Sequence, residues 1–188
     1  MIYIEDKIIK NKTFRTEEVT GTEFDNCQFF ECNFNNINLS SVIFSECVFE
    51  NCDLSMSKLN NTSFKDVEFN NCKLLGLNFQ DCNHFILSFK FTNCSIDLSS
   101  FYSLKIKQTL FKNCSLKEVD FIACDLSFSV FDDCDLSGAV FENTILESTD
   151  FRSASNFIID PDINKLKKTK FSRNNLAGLL TKYNIIIE

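Results

Sequence analysis

A chain of 188 residues is long enough for one domain with an extended core. Its net charge of −7, single His, four Gly and one Pro argue against a nucleic-acid binder, a phosphate loop or a flexible linker. No apolar run is long enough to span a membrane and no basic start precedes an apolar stretch, so a cytoplasmic protein without membrane contact is expected.

Residues 1–21 keep a five-residue rhythm at Ile4, Ile9, Phe14 and Val19. They carry Lys7, Lys12 and Glu17 two positions before three of those centres, where small residues stand later in the chain. An irregular edge strand and N-terminal cap is expected here.

Residues 22–153 hold the rhythm strictly. A first frame runs Phe24, Phe29, Phe34, Leu39, Phe44 and onward to Phe79. A second, shifted in register, runs from Phe91 through Ile96 and Phe101 to Phe151. A period of five matches neither a helix nor a long flat strand, so each unit includes a turn. All ten cysteines fall two positions before a centre: Cys27, Cys32, Cys47, Cys52, Cys72 and Cys82 in the first frame, Cys94, Cys114, Cys124 and Cys134 in the second. In a short extended segment positions i and i−2 face the same way, so a large centre and a small Cys, Ser, Thr, Val or Ala both point inward. Alternating large and small residues can fill a narrow interior without voids.

This pattern, as in Asn51-Cys52-Asp53-Leu54-Ser55, resembles the pentapeptide-repeat family: a small residue, Asp or Asn, Leu or Phe, then two variable positions. The resemblance covers roughly residues 22 to 153 and implies an all-β, right-handed quadrilateral parallel β-helix with one pentapeptide per face and four per coil. Residues twenty apart then stack about 4.8 Å apart, and six to seven coils give a rod roughly 30 Å long. Phe29, Phe49, Phe69 and Phe89 should form one column, which two inserted residues carry on to Phe111, Phe131 and Phe151. The insertion falls between His84 and Cys94. Stacked cysteines would have parallel Cα–Cβ vectors, unlike disulfide partners, so they read as reduced core residues suited to the cytoplasm. Metal spacings are absent, and neither metal nor cofactor is expected. Cys82 and His84 are close enough to suggest a nucleophile and base, but both belong to inward positions of one unit, which favours packing over catalysis.

After Phe151 the frame dissolves, and residues 154–188 are expected to form a C-terminal cap. Leu176, Leu179, Leu180 and Tyr183 recur at helical spacing behind Asn174 or Asn175 as N-cap, and Ile185-Ile186-Ile187 reads as a strand. This tail is similar to the C-terminal cap of Qnr-type quinolone-resistance relatives. The likeness implies a two-fold homodimer through Leu176, Leu179, Leu180, Tyr183, Ile185 and Ile187. The long loops of those relatives have no counterpart here.

Charge separates the regions. Residues 22–153 hold 19 acids against 9 bases, and residues 154–188 hold 3 acids against 6 bases. From Glu118 to Phe151 the acids Glu118, Asp120, Asp125, Asp132, Asp133, Asp135, Glu142, Glu147 and Asp150 meet no base. Such a rod could enter a basic DNA-binding groove as a DNA mimic, which the resemblance implies for DNA gyrase or topoisomerase IV and, with it, quinolone protection. The acids equally suit plain solubility. Outward Leu110, Ile122, Phe128, Val130 and Val140 leave a third reading open, a bacterial interaction scaffold with a partner unrelated to gyrase. No enzyme activity is expected.

Overall fold

A computed structural model describes residues 2–85 and 87–186; of the C-terminal strand expected at residues 185–187, Ile187 lies outside that range. The chain winds into a four-sided, right-handed parallel β-helix, with four faces traversed in the same order in every coil. On the first face β1 (Ile2–Glu5), β3 (Thr22–Asp25), β5 (Ile43–Ser45) and the start of β7 (Ser63–Asn70) lie in parallel register, Phe24 opposite Phe44 and Phe44 opposite Phe64. On the second face β2 (Ile8–Lys10), β4 (Gln28–Phe30), β6 (Val48–Glu50), the end of β7, β8 (Leu87–Thr92) from Phe89 onward, β9 (Leu110–Lys112) and β10 (Val130–Asp132) do the same. The third and fourth faces are held by single bridges, such as Asn33 to Asp53 and Ser100 to Asp120.

Most corners place one residue in the left-handed region. At the corner after the second face four of these are Asn51 (φ 55°), Asn71 (φ 53°), Asn93 (φ 55°) and Asn113 (φ 52°). Asn tolerates this conformation better than most residues. It also links the coils here: Asn93 Nδ2 donates to Asn71 Oδ1 and Asn113 Nδ2 to Asn93 Oδ1, both at 3.1 Å.

The interior is a set of columns. On the second face Phe29, Phe49, Phe69, Phe91, Phe111, Phe131, Phe151 and Phe171 stack with ring centroids 4.7 to 5.6 Å apart. Phe91, not Phe89, therefore continues the column of Phe69. Pairs are twenty residues apart at Phe44 and Phe64, twenty-two apart at Val67 and Phe89, and twenty again at Phe91 and Phe111. The extra residues enter between Asn83, whose N–H still donates to the Thr62 carbonyl, and Leu87. Phe89 is buried in the slot that a small residue fills in other coils.

Both ends differ from expectation. Residues 2–20 wind as a coil in register with the next, closed on the fourth face by one turn of helix, α1 (Thr16–Val19). Lys12 does not enter the core; its ammonium lies 4.5 Å from the Phe14 ring centroid and 3.2 Å from Glu18. At the other end the frame resumes: Ile145 bridges Lys165, Asp150 bridges Lys170, and Phe171 stacks on Phe151. The expected helix is instead two 3₁₀ segments, Arg173–Leu179 and Thr181–Tyr183, with Ser172 at the N-cap. Asn175 is not a cap, because its amide donates to the carbonyls of Phe151 at 2.9 Å and Ala154 at 3.1 Å. Ile185 and Ile186 are in no strand.

Candidate functional surface

The sulfur chemistry is enclosed. Cys32, Cys52, Cys72, Cys94, Cys114 and Cys134 stack as one column along the third face, each at most 3% exposed, and all ten cysteines are free thiols. Each slot also serves a backbone group. Cys52, Cys72, Cys94 and Cys134 point Sγ at the carbonyl of a Phe in the coil before, at 3.3 to 3.4 Å. Thr62, Thr144 and Thr149 make the same link through Oγ1 at 2.7 to 2.9 Å. The small residue is thus a space-filler and a weak donor to an interior carbonyl, which is why Cys, Ser and Thr interchange there. Burial pushes the Cys47 thiol up to about 12 and raises Cys82 and Cys124, so these groups stay protonated.

His84 corrects the sequence reading. It is exposed beside the register insertion, with Nε2 2.7 Å from the Gln80 carbonyl, while Cys82 is buried. The two do not form a catalytic pair. Among the described residues no group of three or more His, Cys, Asp or Glu side chains could hold a metal, and no helix is long and apolar enough to cross a membrane.

The nine acids from Glu118 to Asp150 spread over all four faces and two corners. Asp125 and Glu147 lie on the first face, Asp132 and Asp150 on the second, Asp135 on the third, and Asp120 and Glu142 on the fourth; Asp133 and Glu118 occupy the corners before and after the third. Lysines from neighbouring coils, invisible within the acidic stretch itself, neutralise part of this charge. Lys107 reaches Asp125 at 3.0 Å and Lys117 reaches Asp135 at 3.4 Å, while Asp150 takes Arg152 at 2.8 Å and Lys170 at 3.7 Å. Hydrogen bonds from Asn156 and Ser137, helped by Lys117, hold Asp135 down at about 2, and Arg152 lowers Asp150. The other six have no ion pair among the described residues: Glu118, Asp120 and Glu142 on the fourth face and its leading corner, Glu147 on the first face, Asp132 on the second and Asp133 at the corner after it.

The outward apolar residues divide as well. Leu110 pairs with Val130 on the second face; Ile122 and Val140 belong to the fourth, and Phe128 is 58% exposed at a corner. At the C-terminal end Leu176, Tyr183 and Ile185 are exposed, Leu179 and Leu180 half-buried.

A family model described as a pentapeptide repeat region matches residues 22–101 and 104–180. The solved structure of HetL, a pentapeptide repeat protein involved in heterocyst differentiation regulation from the cyanobacterium Nostoc sp. strain PCC 7120, is similar with a TM-score of 0.59. Identity is 14%, over 90% of this chain and 86% of that one. A trypsin-treated form of QnrB1, a plasmid-mediated fluoroquinolone resistance protein, gives a TM-score of 0.51 at 20% identity, over 99% of this chain and 100% of the other. At these identities the likeness carries the fold. No curated protein matches the sequence.

Proposed function

Because the chain belongs to the pentapeptide-repeat family, we propose that it is a non-enzymatic, cytoplasmic binding protein whose acidic second half enters the basic DNA-binding groove of a type II topoisomerase, DNA gyrase or topoisomerase IV, in place of DNA. The observation that carries this reading is the run from Glu118 to Phe151, nine carboxylates with no base in the run itself and six of them without an ion pair among the described residues, wrapped around a filled rod. A filled rod offers its partner shape and charge, and its thiols are sealed inside. The exposed Leu176, Tyr183 and Ile185 support a homodimer through the C-terminal end, which would lengthen the charged rod.

A second reading, a scaffold for a partner unrelated to gyrase, is favoured by Val140 and Tyr102, 38% and 48% exposed on the face that holds Asp120 and Glu142. A supercoiling assay with the purified protein titrated into gyrase, with and without a fluoroquinolone and at low and high salt, separates the two. Salt-sensitive inhibition or drug protection is the result expected of a DNA mimic. Activity unchanged at a large molar excess, in both salts, leaves the scaffold.

A further inference from the structure

The ladder of the fourth face runs without a gap from Asn78 through Ser100 and Asp120 to Val140 and stops there. Val140 bridges Asp120, but twenty residues after Phe141 the chain reaches Pro161, which has no N–H to give, and turns through Asp160–Ile163 instead of pairing. Gly138 stands at the corner (φ +71°) with Glu118 Cγ packed 3.1 Å from where a Cβ would lie, and adds no side chain of its own. What remains is a groove of about 310 Å³ lined by Gly138, Val140, Ile158, Ile163, Glu142 and Asp160.

Its chemistry is two-sided. Val140, Ile158 and Ile163 are 38%, 57% and 46% exposed, an apolar floor left open to water. Glu142 on the rim, and Asp120 one coil before it, have no ion pair among the described residues. The far rim already holds an ammonium: Lys182 Nζ donates to Asp160 at 2.6 Å and also to Asp162. A floor that needs covering and a rim that accepts amines fit one kind of occupant.

We infer that this groove is a docking site for a basic segment of a partner protein, one or two large apolar side chains flanked by Lys or Arg. The apolar side chains seat on Val140, Ile158 and Ile163 while the cations meet Glu142 and Asp120. The inference rests on the reading that the chain acts by binding protein, and it does not require that the partner be a topoisomerase.

The chain has no Trp, so the emission of a single Trp in a short synthetic peptide, Leu-Trp-Leu flanked by Lys and Arg, reports burial without background. A blue shift that saturates is expected. Ile163→Ser, which leaves charge untouched, and Glu142→Gln should each weaken binding at least about fivefold. Glu46→Gln, at an exposed corner of an early coil, should not. Ile158→Ser replaces Ile163→Ser if thermal melting shows the latter to be misfolded. Equal affinity in the wild type and the Ser variant, or equal weakening by Glu46→Gln and Glu142→Gln, would reduce the binding to general attraction and overturn the site. Sedimentation of the same samples tests the other occupant: peptide binding that emerges only as a dimer dilutes apart would assign the groove to a second copy. A gyrase assay without effect leaves this result standing, and a peptide that fails to bind leaves the gyrase reading standing.

Discussion

The two ends of the rod solve one problem differently. Each terminal coil exposes a strand edge and the last layer of the core. At the N-terminal end Ile2 and Asp6 donate their N–H groups to the second coil, so by strand alternation the peptide groups of Tyr3 and Glu5 face away from it; Ile8 and Lys10 stand likewise on the next face. Ile2, Tyr3 and Ile8 are more than half exposed. At the C-terminal end the carbonyls of Phe151 and Ala154 are taken by Asn175, and Ile159 donates to Gly178 at 3.0 Å. Regular repeats make a stackable edge, so the end that follows the frame more simply is the open one, and an irregular sequence is needed to close the other.

Substitutions down the second-face column should grade this difference most strongly. Phe111→Ala, mid-rod, is expected to cost about 3–5 kcal/mol, Phe171→Ala about 2, and Ile9→Ala about 1, read by thermal or urea unfolding. Equal losses would mean that both ends are buried equally well. Proline sharpens the contrast next. Tyr3→Pro should cost under about 1 kcal/mol because its N–H points off the edge, whereas Lys165→Pro removes the bond to the Thr144 carbonyl and should cost several times more. Asn175→Ala, which strands two carbonyls, should destabilise by about 1–3 kcal/mol and speed exchange in the final coil before the rest.

Acid should loosen the same end by a smaller amount. Asp135 is held down at about 2, and Asp150 and Asp160 are lowered by Arg152 and Lys182. A carboxylate with a depressed folded-state pKa contributes stability above its unfolded value of about 3.9, and that contribution fades as pH falls through the folded value. Far-UV circular dichroism and hydrogen exchange between pH 5 and 2 should therefore show residues 156–183 fraying first. An N-terminal coil that frays first would contradict the assignment.

Much of this was legible in the five-residue frame. A turn in every five residues, the inward cysteines and the insertion near His84 follow from where large and small residues recur, while four sides to a coil is what the resemblance to the pentapeptide-repeat family implies. The details that escaped depend on geometry between coils. Phe89 fits the centre pattern by count, yet the two-residue shift moves it into the small slot. Lys165 and Lys170 read as a basic tail, but they bridge Ile145 and Asp150, because outward positions carry no inward signal. Asn164 and Thr169 in the small slots before Leu166 and Phe171 were the available clue, and Pro161 between Phe151 and that resumption obscured it. The acidic stretch misled for a similar reason: Lys107, Lys117 and Lys170 that compensate it lie about a coil away in sequence and adjacent in space.

The most direct test is native-state hydrogen exchange resolved to single amides in dilute protein. One parallel frame from Ile2 to Lys170, open at its start and closed at its end, predicts fast exchange at Tyr3, Glu5, Ile8 and Lys10 beside slow exchange at Asp6, Asn11, Ile159, Lys165 and Lys170. Rapid exchange at Lys165 and Lys170, or protection at Tyr3 and Glu5, would contradict it.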